Sequence, residues 1–306
     1  MRYRNLVWFL TLAAVWGSAF MAIKAGVGDP SNPAYFFEAP VLFAAIRYDI
    51  AGVVMFGYAI WMTERWRPRD RAEWLTVGVG AIFIIAAYHA LLFVGQRGTT
   101  SAASAVIISL SPVMTTAFAR ALLPDERLTV VGIVGMSLGL LGVIVLSRPD
   151  LTNLFGSRFE ALVFAAALCF ALGSVLTRRL DSDLPIETME AWSMLGGAII
   201  MHAVSFGLGE QISGIPPIRE GLALAYLAIV SSAIGFLIYF DLLERLGPIE
   251  INLVSYVAPV FAALAGFVFL DELIDLPTVV GFVVILGGFA LLKRRAIRTE
   301  ARRYWR

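Results

Sequence analysis

The stretch from Ser111 to Gly132, SPVMTTAFARALLPDERLTVVG, returns later in the chain as APVFAALAGFVFLDELIDLPTVVG, from Ala258 to Gly281. In both copies a small residue and a proline lead into an apolar run. An Asp-Glu pair closes the run, and Thr-Val-Val-Gly opens the next one. The prolines are 147 residues apart and the final glycines 149, so only small insertions separate the copies. A weaker echo pairs Gly17-Ser18 with Gly173-Ser174. The apolar runs exceed the roughly 10 alternating residues of a barrel strand. They approach the roughly 20 with which a helix crosses hydrocarbon.

Outward from this block, ten stretches read as spans: 6–26, 40–62, 74–95, 99–122, 128–147, 159–177, 188–208, 221–243, 249–270 and 277–293. The connections are short and rich in Pro, Gly and charge. The N-terminal run resembles a signal peptide in its basic start, but its length predicts a retained helix. Composition agrees: 59% of residues are hydrophobic and 15% charged, with a mean hydropathy of +0.81. Soluble domains hold about 45–50% and 25%, so this chain cannot clothe a soluble core. The predicted fold is therefore all-α and integral to the membrane, with ten transmembrane helices. The duplication divides them into repeats of five, near 1–150 and 155–306. An odd number of spans per half inverts the second half, as in many secondary transporters, whose substrate site lies between the halves.

With the N-terminus cytoplasmic, the cytoplasmic segments hold 18 Lys and Arg and the opposite side 5, and Arg47 lies inside a span. That asymmetry predicts cytoplasmic N- and C-termini in the cell's inner (plasma) membrane. The net charge of +1 gives no field for nucleic acid. Cys169 stands alone, so neither an intramolecular disulfide nor a cysteine metal site is expected.

A family resemblance rests on Trp16-Gly17-Ser18-Ala19-Phe20 with Lys24, on Arg47, and on the run Gly98, Ser101-Ala102, Ser104-Ala105, Leu110-Ser111-Pro112, Asp125-Glu126-Arg127 and Gly132 to Gly142. These resemble the ten-helix, EamA-type branch of the drug/metabolite transporter superfamily, over essentially the whole chain. The resemblance implies a basket of helices around a central cavity and export of amino acids, metabolites or drugs. The proline-rich loop 29–39 is longer than that pattern leads one to expect.

Candidate site residues follow from polar groups placed where lipid offers them nothing. On the fourth span Ser101, Ser104, Ile108, Ser111 and Thr115 share one helix face, and on the ninth Asn252, Tyr256, Pro259, Ala263 and Gly266 do. Close packing explains most of the small residues, but it needs neither the Asn252 amide nor the Tyr256 phenol. Pro112 and Pro259 each free a carbonyl one turn earlier, which points to kinked helices beside a pathway. Trp16, Ser18, Tyr88, His89, Ser111, Tyr239, Asn252 and Tyr256 are the expected substrate contacts, with Pro112, Pro259, Lys24 and Arg47 in gating or structural roles. Lys24, ending the first span, and Arg47, near the outer end of the second, can also snorkel. Asp241, with Arg245 one turn on, suits an interfacial ion pair. His89 and His202 titrate nearest neutrality and are candidates for a coupling proton, alongside Asp49 and Asp241. A histidine bonded across a helix interface is the commoner case.

The glycines at 132, 135, 139 and 142 read as a packing face, not a phosphate loop. No cofactor, metal or catalytic residue is expected. The function these features predict is a secondary transporter of a small organic solute, acting as a monomer or homodimer by alternating access. The rivals are a receptor, and an intramembrane enzyme built on Asp271-Glu272. The latter is weakened because the duplicated acidic pair Asp125-Glu126 would face the opposite side, whereas capping a turn suits both copies.

Overall fold

The computed structural model describes residues 2–27, 39–98, 101–123, 129–147, 158–180, 182–211, 217–270 and 276–292. Residues 29–38 of the proline-rich loop, both Asp-Glu pairs, the C-terminal tail, the side chains of Phe20, Lys24 and Ser101, and the surroundings of Gly266 lie outside what is described.

Among the described residues the regular structure is helical throughout. In chain order it comprises α1 (Arg2–Val27), α2 (Pro40–Met62), α3 (Arg71–Gln96), α4 in two pieces (Ser101–Ile108 and Ser111–Leu122), α5 (Val130–Ser147), α6 (Arg158–Leu180), α7 (Ile186–Leu208), α8 (Ile218–Leu246), α9 in two pieces (Pro248–Asn252 and Val254–Leu270) and α10 (Leu276–Leu292). Five of these, α2, α3, α6, α7 and α8, are long and apolar enough to cross a membrane, and shorter apolar stretches lie in α4, α5, α9 and α10. Helix ends fall within a few residues of the sequence expectations. The interruptions do not. Two spans read as continuous are broken, α4 at Ser109-Leu110 and α9 at Leu253.

Two further irregularities carry no mark in the sequence. Gly80–Ala87 in α3 and Leu227–Ile234 in α8 are wound as π-helix. Both begin nine residues into their helix, and they lie 147 residues apart, the spacing of the two prolines. Wide turns of this kind cluster at functional sites.

The termini show how the helices are anchored. Asp70 caps α3 by accepting from the Glu73 amide at 2.9 Å, while Glu73 accepts from the Arg69 amide at 2.6 Å; this is a reciprocal box outside the helix proper. Arg65 pairs with the same Glu73. At the other end of α2 the arrangement is less local. Gly209 takes φ +70° and ends α7, the left-handed turn that glycine adopts without strain. The next residue, Glu210, then accepts from the Val41 and Leu42 amides at 3.2 and 2.8 Å. It neutralises the N-terminus of α2, which Ala39 leaves uncapped.

In the interior, α2 packs along α7, α5 along α10, α1 against α8 and α9, α6 against α3 and α4, α3 against α7 and α8 against α2. The expected glycine face of α5 lies against α10. A Cβ on Gly288 would come 2.6 Å from the Gly135 carbonyl oxygen and 2.7 Å from the Gly139 nitrogen. Backbones this close gain dispersion contacts that lipid cannot replace.

Candidate functional site

A cavity opens where α1, α2, α3, α4, α6, α8 and α9 converge. It encloses about 800 Å³ of space, its open mouth included. Its walls include Trp16, Tyr88, Phe170 and Phe236, with polar groups from Arg47, His89, Ser111, Ser231 and Asn252, and the ring of Pro259.

Trp16 projects from α1 because glycines make room for it. A Cβ on Gly17 would strike the Ala258 carbonyl oxygen of α9 at 2.4 Å, and one on Gly235 would meet the Trp16 indole nitrogen at 2.9 Å. The indole N–H donates to the Ser231 carbonyl at 3.2 Å, within the π-wound part of α8. The ring lies 5.3 Å from both Phe236 and Tyr239 and 6.0 Å from Phe170. Tyr88 continues this wall, 4.9 Å from Phe170. Trp16 meets Phe170 edge-to-face and the other pairs are tilted, arrangements that aromatic rings prefer to a face-to-face sandwich.

The prolines act as their chemistry demands. Pro112 leaves the Ile108 carbonyl without its helical donor, and the Ser111 hydroxyl donates to that oxygen at 2.6 Å. Pro259 likewise frees the Ser255 carbonyl, and Ser109, at the break of α4, donates to it from across the interface at 3.3 Å. The two interrupted helices are thus joined through the carbonyl that Pro259 releases.

Asn252 lines the cavity and also knots four helices. Its amide nitrogen donates to Thr115 at 2.8 Å and Ser174 at 2.9 Å, and its oxygen accepts from the Tyr239 hydroxyl at 3.1 Å. His89 is bonded at both ring nitrogens. Nδ1 donates to the Ile85 carbonyl at 2.9 Å, which leaves Nε2 to accept from the Tyr48 hydroxyl at 2.8 Å in the neutral ring. Arg47 is 3% exposed, and it donates to Ser232 Oγ at 2.7 Å and Ser231 Oγ at 3.2 Å.

Of the residues the sequence singled out, Trp16, Tyr88, His89, Ser111, Asn252, Arg47 and Pro259 meet around one cavity. Ser18, Tyr239 and Tyr256 are not among its lining. The Ser18 hydroxyl sits 2.5 Å from that of Tyr226. Tyr239 lies behind Trp16, and Tyr256 presses its ring on Gly139 with its hydroxyl buried and without a partner among the described residues. Pro112 is buried in α4 outside the lining. Asp241 pairs with Arg245 at 2.6 Å, and Asp49 with His202 at 2.6 Å. The second pair joins a histidine to an acid 153 positions away, which no local spacing could show. Phe170, Phe236 and Ser231 were also missed, because an aromatic or serine in an apolar run carries no sign of which way it faces. Among the described residues no group of three or more His, Cys, Asp or Glu is placed to hold a metal.

An uncharacterized transporter of Archaeoglobus fulgidus is 28% identical over 282 residues, covering 92% of this chain and 95% of that one. The uncharacterized inner membrane transporter YedA of Escherichia coli K12 is 27% identical over 274 residues, 87% of this chain and 84% of its own. A crystal structure 24% identical in sequence superposes with a TM-score of 0.77 over 98% of this chain and 100% of that one, a likeness of fold. The model of the EamA-like transporter family matches residues 4–148 and again 158–294. The chain belongs to the EamA-like transporter family.

Proposed function

We propose that the chain is a secondary transporter that exports a small organic solute across the inner membrane by alternating access at this cavity. Trp16, Tyr88, His89, Ser111 and Asn252 contact the solute, while Tyr239 and Ser18 brace the residues beside them. The carrying observation is the origin of the lining: it is drawn from α1 to α4 and from α6, α8 and α9, on both sides of the duplication. A site shared in this way changes access when one half rocks against the other.

The same reading takes ten crossings in two inverted halves, near 1–150 and 155–306, with both termini cytoplasmic. It is supported by the neighbours each helix keeps. Shifting every helix five places along the chain turns the α1–α9 contact into α6–α4, α3–α6 into α8–α1, and α3–α7 into α8–α2, all of which are present. The α2–α7 and α5–α10 contacts map onto themselves. The matched π segments of α3 and α8 obey the same shift.

The test is counterflow in proteoliposomes against a metabolite panel, with and without a pH gradient. Solute-specific exchange is expected, and Tyr88→Ala and Asn252→Ala should each abolish most of it at unchanged expression. Unaltered kinetics in both variants would remove the cavity from the mechanism. Binding without flux would favour a receptor.

A further inference from the structure

The guanidinium of Arg47 is the unexplained group in this cavity. It is almost wholly buried, it lines the cavity, and among the described residues no carboxylate pairs with it. Asp49, two positions on, pairs with His202 instead. An arginine carries five N–H donors. Two are spent on the hydroxyls of Ser231 and Ser232, and three remain. Hydroxyl oxygens orient a cation without neutralising it, and a buried charge left without a counter-ion costs free energy that a neutral strut would avoid.

The surroundings give the sign and shape of what would complete it. The lining residues include Arg47 as a charged group and no Asp or Glu. Ser231 stands beside Arg47, and the walls are the rings of Trp16, Tyr88, Phe170 and Phe236. From this geometry we infer that Arg47 receives the anionic group of the transported solute, and that the cavity takes organic monocarboxylates with an aromatic or broad apolar body. A planar carboxylate matches the open edge of a guanidinium in a two-point hydrogen bond. A cationic solute would meet the arginine with like charge and find no acid among the described lining residues. A phosphate dianion would need a second cation, and the described lining residues include none. This inference rests on the reading of the cavity as the transport site.

The experiment is equilibrium dialysis of the purified full-length protein with radiolabelled 3-phenylpropionate, competed by 3-phenylpropionamide and 3-phenylpropylamine, and repeated with the matching naphthyl trio. The acid should bind at least about tenfold more tightly than its amide, the scale of one charge-assisted hydrogen bond. The amine should not compete. Arg47→Gln should erase the difference between acid and amide, and Arg47→Lys should restore part of it, with size-exclusion profiles reporting folding. If Arg47→Gln does not fold, the acid–amide–amine order in the unaltered protein and the partial loss in Arg47→Lys carry the test. An amide or amine that binds as well as the acid, no binding by either acid, or a folded Arg47→Gln protein that binds the acid unchanged would each overturn the inference. Tyr88→Ala separates the two levels. If it weakens all three probes while the amide equals the acid, the cavity stands and the anion falls. If it leaves acid binding untouched, the cavity reading falls.

Discussion

Two tyrosines on facing helices show how much a single hydroxyl decides at membrane depth. The Tyr239 hydroxyl donates to Asn252 and so belongs to the knot that also holds Thr115 and Ser174. The Tyr256 hydroxyl is buried with no partner among the described residues. Removing a bonded hydroxyl strands its acceptor, whereas removing an orphan relieves a desolvation cost. Tyr239→Phe should therefore lower thermal stability in detergent, by about 1 kcal/mol, and Tyr256→Phe should leave it unchanged or raise it. Equal losses in fluorescence-detected unfolding would show that Tyr256 has found a partner in the membrane. The sequence made both residues candidates because a phenol in an apolar run looks out of place. Only the packing against Gly139 and the reach to Asn252 separate them, and the first of these contacts joins distant segments. Arg47 and Trp16 were legible for the same reason that Phe170 was not: a charge or an indole N–H in an apolar run demands a partner, and a phenyl ring does not.

At the scale of elements, the positions of helices were readable and their interruptions were not. Hydrophobic run length reports where a segment can rest in lipid, and it placed α2, for example, at 40–62, its observed extent. A π turn changes the winding of a helix without changing its composition, so the segments at Gly80–Ala87 and Leu227–Ile234 left no trace in hydropathy. Proline chemistry was partly legible: the freed carbonyls were expected, but the break of α9 falls at Leu253 instead of beside Pro259. Ser109 spans the gap from α4 to the carbonyl that Pro259 releases. Pro259→Ala would return the helical donor to that carbonyl and make the Ser109 bond redundant. The variant should unfold at a higher temperature and exchange solute more slowly in counterflow. Turnover at the normal rate would mean that the carbonyl freed by Pro259 plays no part in moving solute.

Across the whole molecule, residues 1–150 and residues 155–306 supply partners to one another, and the cavity lining is drawn from both segments. Coexpression can measure that dependence. Residues 1–150 alone should fail to accumulate in the membrane, and supplying residues 155–306 as a second polypeptide should rescue them. Stable accumulation of the first piece by itself would show that its buried polar groups are satisfied locally.

Helix α2 makes the dependence concrete. The first amides of α2 are capped by Glu210, its Arg47 is held by Ser231 and Ser232, and its Asp49 pairs with His202. Every one of these partners is encoded between 153 and 185 residues downstream. During biosynthesis α2 therefore leaves the ribosome well before any of them exists. A nascent chain carrying two opposite charges and an open helix end must linger beside the insertion machinery, or in the headgroup layer, until the later helices are made. The groups that serve the finished transporter thus also impose a waiting time on its assembly, and a slow stretch of translation after α7 would lengthen it.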